Sequence, residues 1–443
     1  MILIYGKGKV GSALKTFCTN NKINYEIKDD SDNMSDFSKY SKIIPSPGVP
    51  PTHKIYKTGK IEGEMDFIYP FIPKGFKIIC VSGTDGKSTT TWILYNILKQ
   101  HFQDKNKLSE KEKIENSNYL IIGGSGIFLS GNFDESFSST ISEIQKRGIK
   151  SGFIVAEISS FMAYNIKKFK SDYSIFTNFE LDHLNWHKDI QDYLDAKLNI
   201  FKNTKKKAII NLQVLQKIKE LKINNGKLKI KNIRTFGISD NKKLKDRVEL
   251  LYIIISGKKK YDINETKFSG SHNALSILAS TMITNEMKIC SKKTKIYLKN
   301  ISGLPHRIEF VKEIKGIKFY DDSKSTSTQS LKAALGSFDG NIILIAGGSD
   351  KGDKFEGLDE ILKTKVIHGE LIGQTREIFG KILNKNKISF HYSDSMDEAV
   401  KTAFKKAKSG DIILLSPGCA SFGMFKNYLD RAEKFREAVK KLK

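Results

Sequence analysis

The sequence predicts an α/β protein of three domains whose sheets are mainly parallel. Apolar runs of strand length recur along the 443 residues, several of them run straight into glycine, and helical patterns fill the intervals. Alternation of that kind buries a parallel sheet between helices. A chain of this length suggests two to four domains, and the pattern places them at 1–75, 76–302 and 303–443.

The first domain opens with the strand Ile2-Leu3-Ile4-Tyr5, followed by Gly6-Lys7-Gly8-Lys9-Val10-Gly11 at a helix start. Gly-x-Gly-x-x-Gly in this position lets a dinucleotide or UDP pyrophosphate lie against a helix N-terminus, although a plain strand-to-helix turn accounts for it equally well. A later strand, Ile43-Ile44, ends in the loop Pro45-Ser46-Pro47-Gly48-Val49-Pro50-Pro51. A small Rossmann-like domain is expected, short for a complete nucleotide-binding unit.

The middle domain carries the most informative stretch, the apolar strand Ile78-Ile79-Cys80-Val81-Ser82 and then Gly83-Thr84-Asp85-Gly86-Lys87-Ser88-Thr89. A tight glycine turn opening a helix aims backbone N–H groups and the positive helix end at one spot where phosphate can sit. Lys87 adds a point charge for the β/γ-phosphates, and the Ser88 hydroxyl a ligand for Mg²⁺. Val81 stands where the first glycine of the generic P-loop would be, but a lysine followed by a hydroxyl at a helix start has little structural purpose. The chain is expected to bind a nucleoside triphosphate. Further strands are expected at Tyr119 to Ile122, Gly152 to Ile158 and Ser174 to Asn178, and helices at Ile190 to Phe201 and Asn273 to Thr284. Residues 205–267 are lysine-rich and read as strands and short helices, with little hint of chemistry.

In the third domain the strands Ile342-Ile343-Leu344-Ile345 and Ile412-Ile413-Leu414-Leu415 lead into Gly347 to Lys354 and Ser416 to Tyr428. Ligands bind at such carboxyl ends in open parallel sheets.

Composition narrows the function classes. Hydrophobic residues at 39% and charged residues at 28% are ordinary for a globular protein. No apolar run, Leu250 to Ile255 among the longest, approaches the ~20 residues of a membrane helix. The chain opens in a strand without a signal-peptide pattern, so the cytoplasm is expected and a membrane partner is not. Cys18, Cys80, Cys290 and Cys419 form no C-x-x-C pair, which argues against zinc or disulfides. The net charge of +26 invites a nucleic-acid reading, but the lysines are spread along the chain and no RNA- or DNA-binding motif accompanies them. A solvated basic surface is preferred, and no nucleic-acid partner is expected.

Three segments offer groups that would complete a metal–phosphate site. In Ile154-Val155-Ala156-Glu157-Ile158-Ser159-Ser160-Phe161 a carboxylate ends a buried-looking strand, where a charge is costly unless paired or metal-bound. In Asp182-His183-Leu184-Asn185-Trp186-His187 the histidines have i, i+4 spacing without the glutamate of H-E-x-x-H, so one histidine beside a phosphate-bound metal is favoured over a zinc hydrolase. A structural hydrogen-bonding role is the alternative for it. In Tyr193-Leu194-Asp195-Ala196-Lys197-Leu198, Lys197 by itself reads as a snorkelling lysine.

These motifs, with His272-Asn273, Gly303-Leu304-Pro305-His306-Arg307-Ile308-Glu309 and Asp322-Ser323-Lys324, occur in the order seen in the Mur ligases, and the resemblance spans nearly the whole chain. The Glu-x-Ser-Ser-Phe and Gly-Leu-Pro-His-Arg forms and Ser416-Pro417-Gly418-Cys419-Ala420-Ser421-Phe422 resemble the D-glutamate-adding branch. The resemblance implies a UDP-binding domain, a P-loop-type ATPase domain and a C-terminal Rossmann-like domain. It implies an ATP-dependent ligase that joins D-glutamate to UDP-N-acetylmuramoyl-L-alanine through an acyl phosphate, in peptidoglycan precursor synthesis, acting as a monomer.

By the same resemblance Lys87 holds phosphates, Ser88 and Glu157 bind one Mg²⁺ and His183 a second, and Lys197 is carbamylated by CO₂ to become an anionic metal ligand. Asn273, Arg307 and Asp322 hold ATP together with Gly83 to Thr89, with Arg307 near the transferred phosphate. Thr326, Lys351, Ser421, Phe422 and Tyr428 form the D-glutamate pocket. Gly8, Lys9, Ser46, Pro47, Gly48 and Ser125 line the UDP-substrate site. The chain departs from the family pattern at Asp85, Ser276 and Ser327, each where asparagine is common. The Gly-Asn-x-Gly loop is read as Gly123-Gly124-Ser125-Gly126, without its asparagine. Another amino-acid ligase, such as folylpolyglutamate synthetase or the diaminopimelate- or lysine-adding Mur enzyme, is the nearest rival. A non-catalytic nucleotide- or nucleic-acid-binding protein is disfavoured by Glu157, His183 and Lys197 together.

Overall fold

Strand β1 (Ile2–Tyr5) lies between β2 (Tyr25–Lys28) and β3 (Lys42–Pro45), both parallel to it. Side chains alternate across a strand, so Ile2 and Ile4 meet Leu14 and Phe17 of the helix Lys9–Asn20, while Leu3 and Tyr5 meet Phe37, Tyr40 and Ile43 on the other face. The glycine pattern is a steric requirement: a Cβ on Gly11 would lie 1.8 Å from the Gly6 carbonyl oxygen, and Gly6 has φ +112°. The structure is a computed structural model that describes every residue except 33, 107–112, 134, 185, 222–229, 231, 240–241, 251, 269–270, 351–354, 356 and 443, and the side chains of 259, 271, 272 and 329.

Two compact units, Met1–Ser302 and Gly303–Lys443, divide the chain. In the first, the small sheet docks against the larger part through buried polar contacts. Asn21 and Gln145 exchange amide hydrogen bonds at 3.0 and 3.1 Å. The buried Glu64 accepts from the Ser138 amide and hydroxyl. The buried Asp66 accepts from the backbone N–H groups of Lys167, Lys168 and Phe169.

The larger sheet of this unit has parallel strands at its centre: β4 (Gly75–Ser82), β7 (Ser125–Gly131), β8 (Ser151–Glu157), β9 (Tyr173–Phe176), β10 (Lys207–Asn211) and β11 (Ile233–Ile238). Their order is β11-β10-β9-β4-β8-β7. Ile78 to Val81 and Ile154 to Ala156 are all buried, as strands covered on both faces must be. Beyond β7 come the antiparallel strands β6 (Tyr119–Ile122) and β5 (Lys113–Glu115); beyond β11, β12 (Arg247–Glu249) is still parallel to it, and β13 (Tyr252–Ile255) and β14 (Lys258–Asp262) follow antiparallel. The lysine-rich segment thus extends the sheet, and the lysines of β14 sit on its edge, where charge discourages pairing with another chain.

The second unit has the order β15-β16-β20-β17-β18-β19, with β15 (Glu309–Ile314) antiparallel to β16 (Ile317–Asp321). The strands β17 (Ile342–Ala346), β18 (Val366–Leu371), β19 (Ser389–Tyr392) and β20 (Ile412–Leu415) are parallel. The carboxyl ends of β16 and β20 are tied by Asp322, whose carboxylate accepts from the Ser416 and Ser325 hydroxyls at 2.7 and 2.5 Å and from the Ile308 amide. Among the described residues, no helix is long and apolar enough to cross a membrane.

Two stability tests follow from these buried carboxylates. Asp66→Ala leaves three amide donors without their acceptor and is expected to cost about 2–4 kcal/mol in denaturant unfolding. Burial pushes the Asp322 carboxyl up to about 6, against the hydrogen bonds of Ser325 and Ser416. A raised folded-state pKa contributes stability that is complete below the unfolded value of ~3.9 and is lost as pH rises through about 6. The stability of the wild type minus that of Asp322→Asn should therefore fall between pH ~4 and ~6 and stay level above that range, as read by calorimetric unfolding across pH.

Candidate active site

The site grows from the carboxyl ends of β8, β4 and β9, which are neighbours in register: Val81 pairs with Glu157 and Ser82 with Phe176. After Ser82 the chain must turn at once into the helix Lys87–Lys105. A Cβ on Gly83 would lie 1.8 Å from Thr177 Oγ1, so only glycine fits, and Gly86, with φ +72°, caps the helix in the left-handed region. Asn178 Oδ1 accepts from the amides of Thr84 and Asp85 at 3.0 and 2.7 Å, and Thr177 Oγ1 donates to the Asp85 carbonyl at 2.6 Å. The turn is thus held by the residues that leave the neighbouring strand β9. No acidic residue stands in the helix's first turn, so its positive end is available to an anion. Lys87 Nζ donates to the Thr84 carbonyl at 2.5 Å, over the turn, and Ser88 and Thr89 are half-buried beside it.

Lys197, on the helix Ile190–Lys202, is 1% exposed and donates to the Gly83 carbonyl at 2.6 Å. Burial, and then the nearby Lys87 charge, hold its pKa well below the ordinary lysine value. Glu157 is 3% exposed; its Oε1 accepts from Asn132 Nδ2 at 2.9 Å, and its Oε2 has no hydrogen-bond partner among the described residues. A buried carboxylate oxygen in that state calls for a cation.

The two histidines separate into different roles. His187 is buried, with Nδ1 3.0 Å from Asp192 Oδ2 and Nε2 3.0 Å from Ser160 Oγ, so both ring nitrogens are occupied. His183 is half-exposed, at φ +55°, with its ring 4.7 Å from that of Phe161 and Nε2 3.3 Å from Asp182 Oδ2. Burial lowers its pKa, Asp182 opposes that, and Lys197 and Lys87 add to it. A neutral imidazole keeps a lone pair for a metal.

Asn273 lies on the helix Ser271–Glu286, three residues before Ser276, whose Oγ would lie 3.7 Å from a Cβ on Gly86. That helix therefore flanks the turn. Gly8, Lys9, Ser46, Pro47 and Gly48 gather at the carboxyl edge of the small sheet, where Ser46 Oγ donates to the Gly6 carbonyl at 3.3 Å.

Ser125 does not belong with them. It is the first residue of β7, paired with Ser151, whereas the site lies at the other end, where Gly131 pairs with Glu157. Gly123 and Gly124, with φ +55° and +74°, form the two-residue turn of the β6–β7 hairpin. A Gly-Asn pair does stand at the other end of β7, Gly131-Asn132: a Cβ on Gly131 would lie 2.2 Å from the Glu157 carbonyl oxygen, and Asn132 donates to Glu157 from its amide side chain and its backbone. Asn132, Thr177 and Asn178 are the site residues that sequence reasoning passed over.

The second unit holds the remaining candidates. Arg307 is exposed on a turn with φ +59° at His306 and +48° at Ile308, pinned by His306 Nδ1 against Asp321 Oδ2 at 2.7 Å. His306, Glu309 and Asp321 resemble a metal cluster, but the Arg436 guanidinium already donates to both carboxylates. Thr326 and Tyr428 are half-buried, Ser421 is buried and Phe422 is 59% exposed. Lys351 lies outside the described residues. Phe422 also lines a cleft of about 360 Å³ with Gln374, Arg376, Asp394 and Met424.

Comparison with known proteins agrees with this geometry. The family model of the Mur ligase middle domain matches residues 81–284, and that of the Mur ligase glutamate ligase domain matches residues 306–419. The chain is 32% identical to the UDP-N-acetylmuramoylalanine--D-glutamate ligase of Aquifex aeolicus (strain VF5), over 99% of this chain and 98% of that one. It is 34% identical to the protein of the same name from Caldicellulosiruptor bescii, over 90% and 83%. Among solved structures, the UDP-N-acetylmuramate-alanine ligase MurC of Thermotoga maritima shares the fold with a TM-score of 0.58 at 16% identity, covering 99% of each chain. The MurF ligase of the same organism, solved in complex with ADP, has a TM-score of 0.54 at 17% identity, over 99% and 95%. The chain belongs to the Mur ligase family.

Proposed function

We propose that this protein is the ATP-dependent ligase that joins D-glutamate to UDP-N-acetylmuramoyl-L-alanine in peptidoglycan precursor synthesis. The observation that carries the reading is the likeness, along nearly the full length of both chains, to the Aquifex aeolicus ligase whose name states this reaction. In the reaction, the L-alanine carboxylate of the UDP-linked substrate attacks the γ-phosphorus of ATP, forming a P–O bond as ADP leaves. The amine of D-glutamate then attacks the acyl-phosphate carbonyl. The tetrahedral intermediate loses a proton from nitrogen and expels phosphate, leaving the amide.

Gly83 to Thr89 cradle the phosphates, and the Lys87 ammonium offsets charge on their oxygens as the bond to ADP breaks. The carboxylate of Glu157 suits Mg²⁺, since it is buried with one oxygen that has no hydrogen-bond partner among the described residues. Ser88, Glu157, His183 and a carbamylated Lys197 would hold two Mg²⁺ ions. The metal supplies charge neutralisation on the β/γ oxygens when bound. Carbamylation suits Lys197 because its depressed pKa favours the neutral amine, which attacks CO₂ with loss of a proton. The product keeps an N–H that can still donate to the Gly83 carbonyl.

Asn273, Arg307 and Asp322 complete the nucleotide set. Gly8, Lys9, Ser46, Pro47 and Gly48 take the UDP end of the substrate. Thr326, Lys351, Ser421, Phe422 and Tyr428 take D-glutamate, whose two carboxylates suit a lysine and hydroxyl donors. This reading assigns 1–75 to the UDP-linked substrate, 76–302 to ATP and 303–443 to the amino acid, in a cytoplasmic monomer.

Phosphate release from ATP with Mg²⁺ and UDP-N-acetylmuramoyl-L-alanine is expected with D-glutamate alone among the amino acids supplied. Release with another amino acid would overturn the pocket, and no release with any would overturn the ligase. Lys87→Ala should lower turnover by ~10³-fold or more with unchanged circular dichroism. Asn132→Ala should raise the half-saturating Mg²⁺ concentration by about tenfold at a near-normal melting temperature, because its hydrogen bond to Glu157 Oε1 fixes the carboxylate whose Oε2 is left for the metal.

A further inference from the structure

Arg431, on the helix Tyr428–Lys440, is 0% exposed, yet among the described residues it hydrogen-bonds no carboxylate. Burying a guanidinium costs several kcal/mol, and an apolar side chain of similar volume would fill such a space more cheaply. What the arginine provides is a rigid fork of donors. Nε donates to Ser323 Oγ at 3.1 Å and Nη2 to the Ser323 carbonyl at 2.8 Å, while Nη1 donates to the Cys419 carbonyl at 3.1 Å. One planar group therefore grips two loops that leave the carboxyl ends of β16 and β20, strands adjacent in the sheet.

Ser323 is held from every side. Its amide donates to Asp321 Oδ1 at 3.0 Å, and its hydroxyl donates to the Tyr428 carbonyl at 2.8 Å. The preceding residue is Asp322 and the one three on is Thr326. On the other loop, Cys419 is two residues from Ser421. Burial lowers the Arg431 pKa to about 10, with Asp321 and Asp322 among the groups opposing that, so the cation persists at neutral pH.

We propose that Arg431 is a positioning residue for the amino-acid half of the reaction: it fixes the spacing between the Asp322-Ser323-Lys324 turn and the Cys419-Ala420-Ser421 segment. The assignment of those segments to nucleotide and D-glutamate rests on the function proposed above. The clamp itself does not, since it is a matter of which atoms Arg431 joins. A lysine keeps the charge, but its single nitrogen does not reproduce the flat fork that spans both loops.

The test uses the full chain as wild type, Arg431→Lys and Ser323→Ala, the second removing one acceptor of the fork without opening a large cavity. In Arg431→Lys the KM for D-glutamate should rise by about tenfold, while the KM for the UDP-linked substrate stays within about twofold. Ser323→Ala should move the same constant in the same direction by a smaller factor. A purely structural role predicts instead a lower kcat with both KM values unchanged, as the active fraction shrinks. Amide hydrogen exchange gives a reading independent of turnover: residues 322–325 and 418–422 should speed up together in Arg431→Lys, with strands β17 and β18 unaffected. Uniform acceleration across the unit, or unchanged exchange in one of the two loops, would overturn the clamp. The wild type tests the proposed reaction separately: if it turns over with a different amino acid, the same KM ratio is read with that one, and if it turns over with none, the exchange result decides alone.

Discussion

Val81 faces Glu157 across one side of β4, and Ser82 faces Phe176 across the other. Parallel strands run in one direction, so the chain leaves all three of these strands at the same edge of the sheet, and whatever residues come next are delivered to one place. The rest of the nucleotide end depends on this register. Gly83 can turn only because Thr177 leaves room for a hydrogen and nothing more. Asn178, next along, is then in reach of the Thr84 and Asp85 amides. On the far side of β8, Gly131 pairs with Glu157 and brings Asn132 onto its carboxylate. A shift of one residue in any pairing would send the side chains of that strand to the opposite face and dismantle the set.

The second unit achieves convergence by another means. Its parallel strands also deliver loops to one edge, but those loops are longer and are set by buried charge. Asp321 accepts from His306 and Arg436, Asp322 from Ser325 and Ser416, and Arg431 closes the gap between Ser323 and Cys419. Two arginines of the C-terminal helix thus back the turn bearing Arg307, the Asp322 turn and the Ser421 loop. Polar networks of this kind are costly if any member is removed, so they hold geometry more firmly than apolar packing of the same volume.

Much of this was legible in the sequence where one local rule governs. The buried central strands declare themselves as apolar runs, and Ile78 to Ser82 followed by a glycine turn and Lys87-Ser88 has no competing explanation of similar economy. Long-range pairing was not legible. The strand β7 was overlooked because Gly123-Gly124 looked like a substrate loop, although two glycines between short apolar runs are equally the mark of a two-residue hairpin turn. Ser125 accordingly lies at the far end of β7 from Glu157, and Gly131-Asn132 at the near end. The lysine-rich stretch was legible as strands and short helices, but its place at the edge of the sheet was not, because an edge is shaped by avoidance of further pairing, which periodicity does not reveal. His183 and His187 were indistinguishable by spacing, and only the partners Asp192 and Ser160 mark the second as structural.

Lys87 and Lys197 share one glycine turn, hydrogen-bonding the carbonyls of Thr84 and Gly83. Two ammonium groups so close repel, and the cost falls on whichever is less solvated. Lys87 is half-buried at the mouth, whereas Lys197 is sealed beneath the turn with the Tyr193 ring 4.5 Å away. Desolvation therefore favours the neutral amine at Lys197, the more deeply buried of the two. A neutral amine is also the form that reacts with CO₂, so the asymmetry in burial between two lysines of one turn assigns them opposite chemistry. Carbamylated as proposed, Lys197 would with Glu157 turn the inner wall of the site from repelling a divalent metal to binding it.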